Sequence, residues 1–312
     1  MTSQNQNGLK QQIEKAAQEV IVLRQRPLLI MYYPGSLGAM GPQDVEDCYR
    51  AFRNVNITPE NLLPECDVLL HTFGGDPVTG YRLAQCLHDF ASSILFLVPK
   101  WAYSAGTLLC FSGNRIHFGH CAGLSPIDIT LVPAMLTPRE EEVELASIDS
   151  FMEFTADSQK MIQAILHDFN LSEISNVGSD LLCSLVGKVG PLKVARYYRE
   201  RMLTGHYAQE LLDRHMLAGL SNAEGRRDTI IRRFLFGSPS HGFHLDFHMC
   251  CDLGLEAVEM STVESDATRK LVSILDDSVT SGLICPNITN DDKMPFIGLY
   301  LPAVAGGIAN GH

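Results

Sequence analysis

The stretch LVPKWAYSAGTLLCFSGNRIHFGHCAGLSPIDITL, residues Leu97–Leu131, decides how the chain is read. An apolar run, Ile94–Val98 (ILFLV), has strand character, and a helix-like run extends to about Phe111. Between them stands one serine, Ser104, flanked by small residues. It is either a nucleophile held at a strand-to-helix turn or the cap of the helix that follows it. Backbone N–H groups at such a turn have no intrahelical partner, so either role is open to it.

Outward from this stretch the same design repeats. Upstream, Asp67–Thr72 (DVLLHT) reads as a buried strand running into Gly74-Gly75, with a helix near Val78–Phe90. Before that come a strand at Leu28–Tyr33, a loop over Pro34–Gly38 and a helix at Gln43–Val55. Residues 8–24 carry apolar positions at helical spacing until Pro27 breaks the pattern. Downstream, Arg115–Phe118 is a short strand ending in the Gly119–Pro126 loop. Strands alternating with helices point to an α/β layer structure with sites at the C-terminal ends of its strands. The character changes at Thr137-Pro138-Arg139-Glu140, a helix start with a capping Thr and Pro at the first helical position. A long helix to about Asp168 and further helix across Pro191–Leu220 are expected. Asn222–Arg227 reads as a boundary, and Gly242–Val258 holds another helix.

Composition removes several classes of function. The chain has 312 residues and a formal net charge of −12, which argues against a surface built to follow nucleic-acid phosphates. Met1–Gln18 is polar, without the apolar core of a secretion signal, and no run reaches the ~20 apolar residues of a membrane span. The apolar Met294–Ala309 tail, broken by Pro302 and a Gly pair, reads as a strand or interface segment. Nine cysteines, none in a CxxC pair, do not suggest a disulfide framework, so a reduced, cytoplasmic setting is expected.

A serine hydroxyl needs a base to remove its proton and donors to hold the developing oxyanion. Ala105 and Gly106 leave room for a carbonyl to approach, and Thr72-Phe73-Gly74-Gly75 can offer N–H groups from a neighbouring strand end. The pairing of LLHTFGGDPVTGYRLAQCL with VPKWAYSAGTLLCFSGNRIHFGHCAGLSPID resembles the serine dehydrogenase proteinase family of the Clp protease/crotonase superfamily. His71-Thr72-Phe73-Gly74-Gly75 matches its HTPGG, Val98–Thr107 its VP-x-YA-x-S-(A/G)-GT, and Leu124-Ser125-Pro126-Ile127-Asp128 its LGP-(V/I)-D. Weaker echoes lie at Ala156–Lys160 and at Ser240-His241 with Gly254-Leu255. Phe73 stands where the family has proline, adding bulk at the mouth of the groove, and Ile129 replaces a second proline.

The resemblance implies a Clp/crotonase-like spiral of β-β-α units with a helical segment and a small C-terminal subdomain. The expected organisation is an N-terminal helix (1–26), an α/β catalytic core (27–136), a helical segment (137–221) and the C-terminal subdomain with the apolar tail (222–312). It further implies a serine peptidase acting through an acyl-enzyme on protein or peptide substrates, without a cofactor, as a homo-oligomer. Ser104 would be the nucleophile, Gly75 and Ala105 the oxyanion donors, and Gly74, Phe73 and Tyr103 substrate contacts. Clp-type peptidases carry a histidine soon after the serine, but here that neighbourhood is Asp128-Ile129-Thr130. The signal-peptide-peptidase branch uses a downstream lysine, and the one lysine between Lys100 and Lys188 is Lys160. Burial among Phe154, Met161 and Ile165 would leave its amine neutral and basic. Lys188, Lys193 and Lys100 are the fallbacks.

Two other readings stay open: a crotonase-like enzyme acting on an acyl-thioester, and a non-catalytic assembly or binding member of the fold. Asp128 either orients a polar partner or caps its turn, and His71 reads as a core histidine. The SHGFHLDFHMCC cluster places His244 and His248 at i, i+4, which on a helix would share a face, but no further ligand stands at a fixed spacing, so no metal site is expected. Asp76-Pro77 after the glycines lacks the GK(S/T) of a phosphate loop.

Overall fold

The computed structural model describes residues 3–35, 38–127, 191–238, 240–280 and 296–302. Two compact units divide the chain, residues 1–127 with 207–312, and residues 128–206. Lys160, Asp128, Lys188, the helix expected to about Asp168 and the end of the apolar tail lie outside the described residues. Of the second unit the structure describes the start of a helix, α5 (Pro191–Leu211), which carries Lys193 in its first turn.

The first unit is a layered α/β structure around one six-stranded sheet. Its strands are β1 (Leu28–Tyr32), β2 (Cys66–His71), β3 (Ile94–Val98), β5 (Arg115–Phe118), β8 (Ala257–Glu259) and β9 (Phe296–Tyr300), in the order β8-β5-β3-β2-β1-β9. All neighbours run parallel except β9, which lies antiparallel to β1 with Leu28 opposite Tyr300. Every residue of β1, β2 and β3 is buried. That explains their near-continuous apolar sequences, because a parallel strand is covered on both faces.

Alternation along the strands sorts the two faces. Leu28, Ile30 and Tyr32 pack with Leu69 and Leu97 against helices α1 (Ser3–Arg24) and α8 (Thr262–Thr280), through Ile13, Ala17, Val20, Leu271 and Leu275. Leu29, Met31, Val68, Leu70, Phe96 and Val98 face the other layer. There they meet α2 (Gln43–Arg53), α3 (Pro77–Phe90) and α4 (Ala105–Cys110), whose Phe52, Leu83, Leu87, Phe90 and Leu108 are buried. Phe52 and Phe90 stack at 4.8 Å and tie α2 to α3.

The stretch 222–312, expected as a subdomain, supplies β8 and β9 to the main sheet and β7 (Leu245–Asp246) to a second, three-stranded one. That small sheet has the order β4-β6-β7, with β4 at Trp101–Ala102 and β6 at Gly123–Leu124. The apolar run near Met294 thus becomes a sheet edge, β9. Within Asn222–Arg227, Ala223 opens helix α6 (Ala223–Ile231). The helix from Pro191 ends at Leu211 and passes into a wider turn over Leu212–Met216. Among the described residues no helix is long and apolar enough to cross a membrane.

Candidate active site

Ser104 follows β4 and occupies the position just before α4, where a capping serine would stand. Its side chain nevertheless makes no capping hydrogen bond, and its backbone has φ 53° and ψ −117°. A capping residue adopts extended backbone with negative φ. A non-glycine residue at this φ/ψ is in a sparsely populated region that costs about 1–3 kcal/mol and persists only where the surroundings over-determine it. Among the described residues no partner takes the Ser104 hydroxyl.

The surroundings do over-determine it. The Ser104 N–H donates to Ser125 Oγ at 2.7 Å, and Ser125 Oγ donates to the Pro126 carbonyl at 3.0 Å. Ser125 N–H donates to Thr107 Oγ1, whose hydroxyl donates to the Ala102 carbonyl at 2.7 Å. The Tyr103 N–H donates to the Thr72 carbonyl, and the Thr72 N–H to Trp101, so the end of β2 and the β4 turn are stitched together. Downstream, Gly106 and Leu108 donate to the carbonyls of Tyr103 and Ser104.

Two glycines permit this closeness. Gly74 has φ 107°, and a Cβ there would sit 2.6 Å from Ser104 Cβ and 2.8 Å from the Tyr103 carbonyl oxygen. A side chain on Gly75 would run into the backbone of Met40. Met40 donates its N–H to the Gly74 carbonyl at 2.9 Å and accepts from the Asp76 N–H at 3.0 Å. In that parallel bridge the Gly75 amide itself turns away from Met40. Among the described residues no acceptor takes the Gly75 N–H or the N–H of Ala105, the first residue of α4. Backbone N–H groups left without an acceptor on two adjoining turns are the kind of donors from which an oxyanion hole is built.

Behind the turn, the Gly41 N–H donates to Asp44 Oδ2 at 2.8 Å, which fixes the Met40-Gly41 loop. Burial pushes the Asp44 carboxyl up to about 6, against the lowering bond from Gly41. Asp76, at the start of α3, accepts from the N–H groups of Val78 and Thr79 and from the Thr79 hydroxyl. Its carboxylate is therefore a helix cap. His71, at the end of β2, is buried against Tyr32 and Trp101, and burial lowers its pKa to about 4.

Of the fallback lysines, Lys100 is committed elsewhere: its Nζ is 2.7 Å from Asp276 Oδ2, over the Trp101 ring. The residue that sequence reasoning left aside is His244. The antiparallel register of β6 with β7 pairs Leu124 with Leu245. This sets His244 beside the turn, with its Nδ1 2.8 Å from the Tyr103 hydroxyl and its ring packed on Gly123. The helical i, i+4 relation to His248 is not realised. Asp246 caps α7 (Phe247–Asp252) through the Met249 N–H, so His248 lies inside that helix and His244 outside it. No group of three His, Cys, Asp or Glu side chains converges among the described residues.

A family model described as ClpP-like SDH-type serine proteinase matches residues 8–209. Two uncharacterized proteins of Methanocaldococcus jannaschii are similar to the chain. One is 24% identical over 52% of this chain and 54% of its own length, the other 26% identical over 27% and 28%. The chain thus spans about half the length of the first of these relatives or less of the second. No solved structure matches it. With the Ser104 turn, the paired glycines and the parallel strands β1, β2, β3 and β5 lying inside the matched stretch, the chain belongs to the ClpP-like SDH-type serine proteinase family.

Proposed function

We propose that the chain is a serine peptidase that works through an acyl-enzyme at Ser104. The observation that carries this reading is the backbone of Ser104: strained at φ 53°, without a capping bond, and held by Ser125 on one side and by the closely packed Thr72–Gly74 turn on the other. Strain of this kind is retained where it presents a side chain, and a capping serine would relax it.

In the proposed reaction Ser104 Oγ attacks the carbonyl carbon of the scissile peptide as a base accepts its proton. The negative charge forming on the carbonyl oxygen is held by the N–H groups of Gly75 and Ala105. Collapse breaks the C–N bond, the base returns the proton to the leaving amine, and water then hydrolyses the ester. The extended substrate lies along the Gly74-Gly75 turn on the side away from Met40, in contact with Phe73 and Tyr103. Lys160 is the base implied by the family resemblance. A second reading rests on the position of His244, an imidazole held by hydrogen bond on the residue preceding the nucleophile. Assembly into a homo-oligomer and a cytoplasmic location belong to the same proposal.

The test compares fluorophosphonate labelling and casein hydrolysis by the wild-type chain, Ser104→Ala, Lys160→Ala and His244→Ala. Ser104→Ala should lose both activities with its fold intact. Loss of a general base should lower turnover by about 10²–10⁴-fold. That loss in Lys160→Ala alone identifies a Ser-Lys pair, and in His244→Ala alone a Ser-His pair. A wild-type chain that neither takes the label nor cleaves casein would overturn the proposal, and binding of coenzyme A would then favour the acyl-thioester reading.

A further inference from the structure

Phe73 is an anomaly on this surface. It is 46% exposed although it sits between buried Thr72 and Gly74. Its ring lies 5.1 Å from Trp101 and 6.0 Å from Tyr103, the latter edge-on. Trp101 and Tyr103 are both half-buried, and Trp101 is flanked on its other side by His71 and by Lys100. Three aromatic rings therefore form one wall with an open face. Its backbone anchors are the two turns that hold Ser104: Phe73 directly precedes Gly74, and Tyr103 directly precedes the serine.

The wall is rigid before anything binds. The Gly74 N–H donates to Thr72 Oγ1 at 2.9 Å, the Tyr103 N–H donates to the Thr72 carbonyl, and the Tyr103 hydroxyl is bonded to His244. An exposed aromatic face costs hydration free energy in the free protein and recovers it when an apolar group covers it. The one lysine described beside it, Lys100, has its amine paired with Asp276.

We propose that Phe73, Trp101 and Tyr103 form the specificity surface of the enzyme, taking an aromatic or large aliphatic side chain of the substrate at the residue next to the scissile bond. The inference rests on the peptidase reading above and adds the substrate class. It commits the open face to a substrate side chain, since the same two turns that carry the rings carry the nucleophile and the oxyanion donors.

The experiment digests a mixed peptide library with the full-length wild-type chain, Phe73→Ala and Phe73→Leu, and reads the cut sites by mass spectrometry. Alkyl fluorophosphonate labelling of the wild-type chain is run in parallel. Wild type should enrich Phe, Tyr, Trp, Leu or Met at one position flanking the cut by at least about tenfold over Ala and Ser, the scale of apolar-pocket discrimination. Within each variant the ratio is read independently of total activity, so it should collapse in Phe73→Ala and survive in part in Phe73→Leu. A wild-type profile without such enrichment, or one unchanged in Phe73→Ala, overturns the proposal. Labelling of Ser104 without any library cleavage also overturns it, while leaving a serine hydrolase. Failure of both labelling and cleavage removes the peptidase reading itself.

Discussion

Gly74 shows how much of the Ser104 geometry depends on a missing side chain. A methyl group there would lie 2.6 Å from Ser104 Cβ, in a backbone conformation (φ 107°) that L-residues rarely adopt. Gly74→Ala must therefore push the Gly74-Gly75 turn off the Ser104 turn. Displacement of about 1 Å in such a site costs on the order of 10²-fold in rate. Fluorophosphonate labelling of Gly74→Ala is expected to slow by about that factor, with a stability loss of about 1–3 kcal/mol from the unfavourable backbone. Labelling at the wild-type rate would mean that the turn has slack. Ser104 and both glycines were legible as candidates, because their types and order are local information. That Ser104 does not cap its helix was not legible. The decision lies with Ser125 and Gly74, neither of which is its neighbour in sequence.

Helix α1 illustrates what an element needs beyond its own pattern. Its apolar face, Leu9, Ile13, Ala16, Ala17 and Val20, follows helical spacing and packs on the sheet. Its last residue, Arg24, locks it in place. The guanidinium bonds both oxygens of Asp67 on β2, at 2.9 and 3.1 Å, and Glu264 on α8 at 2.9 Å. The Arg24 and Asp67 side chains are 7% and 1% exposed. Removing one partner leaves a buried charge, so Arg24→Ala is expected to cost about 3–5 kcal/mol in urea unfolding. The exposed Lys270–Glu19 pair joins the same two helices, yet Lys270→Ala should cost less than about 1 kcal/mol. Comparable losses in the two variants would contradict this ranking. The strands β1, β2, β3 and β5 and the helices α2 and α3 were readable to within a residue or two, because burial on two faces or one writes its period into the chain, whereas helix α8 (Thr262–Thr280) was not read at all. The two-residue strands β4, β6 and β7 were not. Each exists only through its pairing, so its own sequence carries no period.

At the scale of the whole molecule, protonation sets the pH dependence of stability. Burial is the largest cause that lowers His71, His117 and His215, each to about 4; the neighbouring Arg24 adds to it at His117 and stacked His88 at His215. Unfolded histidine binds its proton near 6.5, so between about pH 6.5 and 4 the unfolded state binds more protons. Stability from these groups is present above that window and is lost as pH falls through it, by up to about 1.4 kcal/mol per pH unit for buried His71 and by less for part-exposed His117 and His215, where solvent screens the charge. Asp44, raised to about 6, works the other way: its folded form gains stability as pH falls from about 6 toward 4. Of these four groups three lose stability toward acid and one gains it, so their combined slope is destabilising toward acid. Urea midpoints should fall between pH 7 and pH 5, and His71→Phe should flatten that fall. An unchanged slope in His71→Phe would show that the buried ring does not titrate as described.

The sequence by itself determined the α/β alternation, the buried strands β1, β2 and β3, the helix that follows the paired glycines and the identity of the serine and its glycines. These follow from residue type and short-range period, which act within one or two turns of chain. Tertiary structure decided which distant segments meet. It brought β9 against β1, set β8 beside β5, placed His244 on Tyr103 and delivered the Ser125 hydroxyl to the Ser104 amide. Strand pairing and close backbone approach are made by groups far apart in sequence. They depend on the register of the completed sheets, which no local pattern carries.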